Sequence, residues 1–247
     1  MIDMEHVKVG SIYWNGKPIQ YDHAELFSGK TESFTVGDTV PGYELQFARW
    51  GKLLVSDCNV CNNVSWDDLN RNGLVFGRFL TIDGQRYFCR TPQGGPAKNS
   101  LNELDCFLQA LFHDEPMHAW FTSSHDTKHG AFWCQETNHN WPNQRVIRAP
   151  ADVVKWRHLE TDFKSPIVGF LPILEPVEAI VPPEELVGQR VKVYGNGASV
   201  TGRLVSVDNY DLCLSSGTCS MPGQEWIDKK GTSITIRRDS ILWVRPI

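Results

Sequence analysis

Apolar and polar residues alternate in two stretches of the N-terminal third of the chain, each interrupted by a turn-forming dipeptide. SIYWNGKPIQY alternates around Asn15-Gly16, and GRFLTIDGQRYFCR alternates around Asp83-Gly84. Alternation with period two is typical of half-buried strands, and Asn-Gly and Asp-Gly favour the two-residue type I′ turn. Both stretches are therefore predicted to form β-hairpins.

Two other stretches have helical signals. In VSWDDLNRNGLVFG, Ser65 is placed to cap a short helix, Asp68 follows three residues later, and Gly73 suits the left-handed closing position. In NSLNELDCFLQALFHDEP, apolar residues recur at helical spacing, which predicts a second, core-facing helix. The apolar positions of this second helix are Leu101, Leu104, Leu108 and Leu111.

The hydrophobic pattern weakens between His113 and about Phe163. This region is rich in Trp, His, Asn and Ser and has few periodic apolar positions. Long loops inside a compact domain are often functional, so one interpretation is a region that stacks and hydrogen-bonds to a partner. The other is a covered, irregular region held by its own aromatic side chains, in which Trp133 is expected to be buried between Phe132 and Cys134.

The pattern changes again after Glu175, where prolines become frequent. We expect a first domain over residues 1–178, a linker over 179–187 with one helical turn starting at Pro183, and a second domain over 188–247. The second domain has signals for five short strands, which is typical of a small bent barrel. The segment SITIRRDSILWV is the predicted open edge, with Ile234, Ile236 and Ile241 available for burial in self-association.

Composition restricts the class of protein. Of 247 residues, 41% are hydrophobic and 21% charged, which is ordinary for a globular protein. A net charge of −5 argues against nonspecific nucleic-acid binding, and we find neither an apolar run long enough to span a membrane nor an N-terminal leader. Seven irregularly spaced Cys favour free thiols in a reducing compartment, with Cys58 and Cys61 packed rather than holding zinc.

The C-terminal motifs GRLVSVDNYDLCLS and ITIRRDSILWV resemble the two-part signature of the Sm-like fold. Asp211 stands where RNA-binding members of that family usually have Asn, and Arg237-Arg238 stands where they have Arg-Gly. A carboxylate repels phosphate and lacks the donor of an amide. From residue 184 onward there are eight Lys and Arg against seven Asp and Glu. We therefore expect a module for interaction or oligomerisation rather than one for RNA binding.

The rest of the chain resembles a group of uncharacterised phage and prophage proteins of Gram-positive bacteria. The motifs that carry this resemblance are VSWDDLNRNGLVFG, TIDGQRYFCR, FWCQET and VGFLPILE. The last of them is similar to the final strand of formylglycine-generating-enzyme-like domains, a branch of the C-type-lectin fold, with Leu171 where that family has Arg. The resemblance implies an α+β lectin-like first domain followed by the Sm-like (SH3-like) barrel, with VGFLPILEP pairing near SIYW.

Enzymes of that family oxidise a substrate Cys with a pair of active-site Cys, whereas this chain has Cys134 alone in the corresponding region. His125 and His129 suggest a metal site only if their segment is helical. A hydrolase triad would need a nucleophile-elbow context that is missing around Ser123, His118, Asp126 and Glu136. TPQGGP lacks the Lys of a phosphate-binding loop. The expectation is no enzyme activity, no catalytic residues, no cofactor and no metal.

The predicted function is therefore a non-enzymatic phage or prophage protein, located in the cytoplasm of an infected bacterium, that binds a host protein or a small ligand. A defence component or its nucleotide signal fits this expectation. The alternatives are a degenerate metalloenzyme and a phage structural or receptor-binding protein. The predicted binding face combines exposed aromatic rings with cationic and imidazole groups. Its residues are Trp141, Arg145, Arg148, His139 and Trp120.

Overall fold

A computed structural model describes residues 5–20, 33–95, 103–104, 131–138, 141–149, 152–177, 181–195, 198–221 and 223–247. The chain divides into two compact units, Met1–Val177 and Glu178–Ile247. The division falls one residue before the predicted end of the first domain. The described residues are β-rich, and none of their helices has the length and apolar character needed to cross a membrane.

The described strands of the first unit form two sheets. They are β1 His6–Trp14, β2 Lys17–Ile19, β3 Phe34–Gly37, β4 Glu44–Trp50, β5 Leu53–Ser56, β6 Cys61–Asn62, β7 Arg78–Ile82, β8 Gln85–Arg90, β9 Ala131–Asn138, β10 Trp141–Ala149, β11 Asp152–Glu160, β12 Val168–Phe170 and β13 Ile173–Pro176. The first sheet has the order β2-β1-β4-β5-β13-β8-β7, with β3 also paired to β1, and the second has the order β11-β10-β9-β12-β6.

Both predicted hairpins are confirmed. β1 pairs with β2 and β7 with β8, each across a two-residue turn. The φ angles are 47° and 76° at Asn15 and Gly16, and 52° and 79° at Asp83 and Gly84. Positive φ at both central residues defines the type I′ turn, whose twist matches that of the flanking strands. These turns depend only on their own dipeptides, so the sequence was sufficient to predict them.

The short helix is also confirmed, as α1 over Trp66–Arg71. The Ser65 hydroxyl accepts a hydrogen bond from the Asp68 N–H, and the Asp68 carboxylate accepts one from the Ser65 N–H. Gly73 has a φ of 71°, as its predicted closing position requires. The second predicted helix lies almost entirely outside the described residues, which include only Glu103 and Leu104 of it, both helical.

Acid is expected to weaken the start of α1. Burial by itself would raise the pKa of Asp68, but hydrogen bonds from Lys164, at 2.7 Å, and from Ser65 hold this pKa below its usual value. A lowered folded-state pKa stabilises the protein fully above the unfolded value of about 4, and this contribution is lost as the pH falls through the folded value. Melting temperatures measured from about pH 6 to pH 3 should therefore fall less steeply in Asp68→Asn than in the unsubstituted chain.

The exposed Asp162 provides the control for that measurement. The melting temperatures of Asp162→Asn are measured over the same pH range. Equal slopes for Asp68→Asn and the unsubstituted chain would contradict the prediction.

The prediction of irregular structure between His113 and Phe163 is wrong for the described part of this region. There, β9, β10 and β11 form a three-stranded antiparallel ladder. β9 lies between β10 and β12 in the second sheet, and five consecutive residues of it are buried. A strand buried on both faces shows no alternation of polar and apolar residues, so its periodicity is lost. The five residues are Phe132, Trp133, Cys134, Gln135 and Glu136, which confirms the burial of Trp133.

The segment VGFLPILEP contributes one strand to each sheet of the first unit. β12 pairs with β6 and β9, and β13 then runs between β5 and β8. β13 returns the chain to the sheet that contains β1, but the predicted pairing near SIYW is wrong because β4 and β5 lie between them. Leu171, at the crossing, is 1% exposed in an apolar cluster, an environment that suits Leu and would penalise a charge.

The second unit contains a six-stranded antiparallel sheet of order β17-β18-β16-β15-β14-β19. Its strands are β14 Arg190–Gly195, β15 Ala198–Val207, β16 Asp211–Cys219, β17 Ile227–Lys230, β18 Ser233–Arg237 and β19 Ile241–Pro246. A helical turn starts at Pro183 as predicted, and covers Pro183–Leu186 in a 3-10 geometry. Leu186 is buried in the core of this unit, so this part of the predicted linker packs as part of the second unit.

The prediction of an open edge at SITIRRDSILWV is wrong for β18. β17, a strand that the sequence did not predict, pairs with β18 along its length. Ile234 and Ile236 are both fully buried in the core of the unit, where they contribute to folding and are unavailable to a partner. The reason is that β17 consists of four polar or half-exposed residues, IDKK, which lack the apolar signal of a strand.

Candidate functional site

The candidate binding face centres on the start of β10. Trp141 is its first residue, lies opposite Asn138 of β9 and is 55% exposed. The neighbouring Asn143 is exposed as well. A large exposed ring beside an amide offers both stacking surface and hydrogen-bonding capacity. The start of β10 therefore has the composition expected of a contact surface.

Arg145 lies further along β10 and is half-buried. Its guanidinium carbon lies 4.6 Å from the centre of the Trp66 ring, a cation–π geometry. The ring is held in turn, because Trp66 Nε1 donates to the Cys134 carbonyl at 3.1 Å. Burial lowers the pKa of Arg145, and the nearby Asp67 carboxylate acts in the opposite direction. Arg145 is thus a pre-positioned cation, about 13 Å along an extended strand from Trp141.

Arg148, the third predicted contact residue, is only 5% exposed. Its Nη1 donates to the Gly94 carbonyl at 2.9 Å, and the Gly94 N–H donates to the Glu136 carboxylate at 2.9 Å. The two side chains therefore hold both backbone polar groups of Gly94, its N–H and its carbonyl. The prediction that Arg148 belongs to a ligand face is not supported by this position, because its side chain is buried and donates to the Gly94 backbone.

The remaining two predicted contact residues, His139 and Trp120, lie outside the described residues. The structure therefore places Trp141 and Arg145 near the surface on one strand and assigns Arg148 to the interior. Trp66 was missed as part of this site, because the sequence pointed to it only as the start of α1. No local signal connects Trp66 to Arg145, which is distant in sequence and reaches it through the fold.

A buried ion pair closes the segment that follows β8. Arg90 is fully buried, and its two terminal nitrogens donate to the two carboxylate oxygens of Glu103 at 2.7 and 2.5 Å. Gln93 joins the same carboxylate through its N–H, and its carbonyl accepts from the Leu104 N–H. The ends of the chain segment between Gln93 and Glu103 are thus held together. TPQGGP was considered only as a phosphate-binding loop and Glu103 only as part of the second helix, so the pair was not predicted.

The described thiols of the first unit are buried. Burial raises the pKa of Cys61 to about 12, with a further contribution from the Asp68 carboxylate, and burial likewise raises the pKa of Cys89 to about 12. Cys58 and Cys134 are buried as well. Within the described residues no three His, Cys, Asp or Glu side chains form a metal-binding group, and His125 and His129 lie outside them.

Alkylation of the native protein at neutral pH is expected to leave Cys61 and Cys89 unmodified. A thiol with a pKa near 12 forms almost no thiolate, and the thiolate is the reactive species. Cys213 is half-exposed on β16 and should be alkylated under the same conditions, which makes it an internal control. Mass spectrometry of the digested protein reads out each site, and rapid native labelling of Cys61 or Cys89 would contradict the buried geometry.

Comparison of the chain with protein-family models, with curated proteins and with solved structures finds no match.

Proposed function

We propose that this chain is a non-enzymatic phage or prophage protein whose first unit binds a host protein or a small ligand through the start of β10. The observation that carries the proposal is the exposure of Trp141, of which 55% is accessible at the end of an antiparallel ladder of strands. Trp and Arg are the residues most often responsible for binding energy at interfaces. Arg145, held against Trp66, supplies a cation for a carboxylate or phosphate group.

The proposed lectin-like fold of the first unit draws support from its sheet topology. The first and last strands, β1 and β13, belong to the same sheet although they are separated by most of the unit. The ladder β9-β10-β11 belongs to a different sheet, which holds the candidate surface on strand backbone, with register shifts on both sides of Arg145. A site on strands is positioned more precisely than a site on loops, which suits binding to a defined partner.

The proposed Sm-like fold of the second unit is supported by its strand order. β19 pairs with β14, and the sheet continues from β14 through β15 and β16 to β18. A 3-10 turn over Arg238–Ser240 immediately precedes β19. Register shifts interrupt the pairing of β15 with β16, and such bulges bend strands strongly. This arrangement is consistent with a small bent barrel.

A role for the second unit other than RNA binding is also supported by its ion pairs. Arg237 contacts Asp239 at 2.7 Å, and Arg238 contacts Glu184 at 2.5 Å and the Asp208 carbonyl at 2.9 Å. Both cations are thus neutralised by groups of the same chain. A phosphate would have to compete with those acidic groups for each of the two cations.

The test is capture of a partner by the purified full chain and by matched variants. Trp141→Ala removes the exposed ring, and Phe163→Ala, which removes another partly exposed aromatic side chain of the first unit, is the control. Immobilised protein is incubated with lysate of a Gram-positive host. In parallel, cyclic dinucleotides and ADP-ribose are titrated by calorimetry, which covers the small-ligand case.

A protein or nucleotide that binds the unsubstituted chain and Phe163→Ala, but binds Trp141→Ala at least about tenfold more weakly, is the expected result. Equal binding by Trp141→Ala, with its melting temperature unchanged, would place the site elsewhere. Metal analysis addresses the competing function. Stoichiometric iron, copper or zinc that is lost in His125→Ala or His129→Ala would overturn the non-enzymatic proposal.

A further inference from the structure

The backbone donors of β18 point alternately to its two sides. The Arg238 N–H, just beyond the strand, donates to the Tyr210 carbonyl beside β16, and the Arg237 N–H donates to the Trp226 carbonyl beside β17. Backbone N–H groups alternate in direction along a strand. The N–H groups of Ile234 and Ile236 therefore point toward β16. Those of Ser233, Thr235 and Arg237 point toward β17. β17 therefore satisfies the backbone edge that β18 would otherwise leave open.

The register of β17 covers four of the five residues of β18, Ser233 to Ile236. Asp228 lies opposite Thr235, and Lys230 lies opposite Ser233. Because the N–H groups of Thr235 and Ser233 point toward β17, these are the two pairs that exchange backbone hydrogen bonds. Lys229 lies opposite Ile234 in a pair without backbone hydrogen bonds, so its own N–H points away from β18. The outer surface of β17 is polar, with an exposed contact of 3.0 Å between Lys230 and Asp228.

Trp226 anchors the start of β17. It is 6% exposed and packs in the core of the second unit, although the strand that follows it is largely solvent-exposed. Gly195, at the end of β14, makes room for its ring: an added Cβ there would lie 2.4 Å from Cη2 of Trp226. The indole thus fixes a short polar strand that has little apolar surface of its own to bury.

We propose that β17 is a built-in edge cap that prevents β18 from pairing with a second copy of this chain. An open strand edge is a template for association, and natural proteins protect such edges with short strands and Lys side chains. β17 has both features, with Lys229 and Lys230 among its four residues. The neighbouring β18, SITIR, carries β-branched residues at three of its five positions, which favours continued strand pairing once the cap is removed.

Proline substitutions in the full chain test the cap. Asp228→Pro removes an N–H that bonds to β18, whereas Lys229→Pro removes one that points to solvent, so the second variant is a matched control. Lys230→Pro disturbs the other bonded pair and serves as a milder second test, and Asp228→Ala controls for loss of the exposed ion pair. Light scattering measures the mass as a function of concentration, and hydrogen exchange reports on individual amides of β14 and β18.

In Asp228→Pro and Lys230→Pro, Ser233 and Thr235 are expected to exchange at least about tenfold faster in dilute solution, while β14 amides stay protected. Both variants should then gain mass with concentration, and Lys229→Pro and Asp228→Ala should match the unsubstituted chain. Exposed β18 amides without a gain in mass would overturn the proposal. Equal association by Lys229→Pro would overturn it as well, because the effect would not depend on the capped edge.

Discussion

Replacing Glu103 by alanine is expected to lower the free energy of unfolding of the first unit by about 3–5 kcal/mol. Arg90 is fully buried, and Glu103 neutralises it through two hydrogen bonds of 2.7 and 2.5 Å. Removing the carboxylate leaves a guanidinium charge in the interior, where desolvation is most costly. Urea denaturation, followed by hydrogen exchange in peptides of β8 and β9, measures the loss in the first unit.

Two variants separate this effect from ordinary loss of a surface contact. Asp228→Ala breaks an ion pair with Lys230 whose side chains are 59% and 84% exposed, and it should change stability by no more than about 1 kcal/mol. The double substitution Arg90→Met with Glu103→Met removes both charges and should be more stable than Glu103→Ala alone. A cost for Glu103→Ala as small as that for Asp228→Ala would show that Arg90 is solvated in solution.

Trp133→Ala is expected to cost about 3–5 kcal/mol through the cavity that it leaves. Trp133 is fully buried on β9, and its Nε1 donates to the Val64 carbonyl at 2.8 Å. The substitution therefore also leaves a buried carbonyl without its donor. Trp133→Phe retains most of the volume and loses only this hydrogen bond, so it should be clearly less destabilising than Trp133→Ala. Urea denaturation of the three proteins checks the order.

Trp141→Ala is the matched control, because it removes the same side chain from a position that is 55% exposed. Its stability should remain within about 0.5 kcal/mol of the unsubstituted chain. A large loss of stability in Trp141→Ala would mean that the ring is structural. That result would contradict the proposal that the start of β10 is a binding surface.

The elements that the sequence predicted correctly depend on residues within a few positions of one another. Asn15-Gly16 and Asp83-Gly84 adopt positive φ readily, so each dipeptide selects its turn. Ser65 and Asp68 cap α1 through reciprocal hydrogen bonds across a single helical turn. Trp133 was predicted to be buried from its apolar neighbours Phe132 and Cys134. In each case the decisive interaction or signal lies within the local segment.

Parts of the candidate site were decided by contacts between distant segments. Arg148 carries a charge that normally indicates exposure, yet it is buried because Gly94 offers it a carbonyl acceptor. Arg145 is held by Trp66, which α1 places beneath it. Trp141 was predicted to be exposed and is exposed, but the strand that it begins was not predicted.

By itself, then, the sequence determined the two tight turns, the capped helix and the aromatic core position of Trp133. The tertiary structure alone decided which strands lie side by side: β9 is central and loses its alternation, VGFLPILEP divides between two sheets, and β17 covers β18. The physical reason is the range of the interactions. Turn and cap geometry is set by neighbouring residues, whereas strand pairing and burial are set by residues far away in sequence, whose positions exist only in the folded chain.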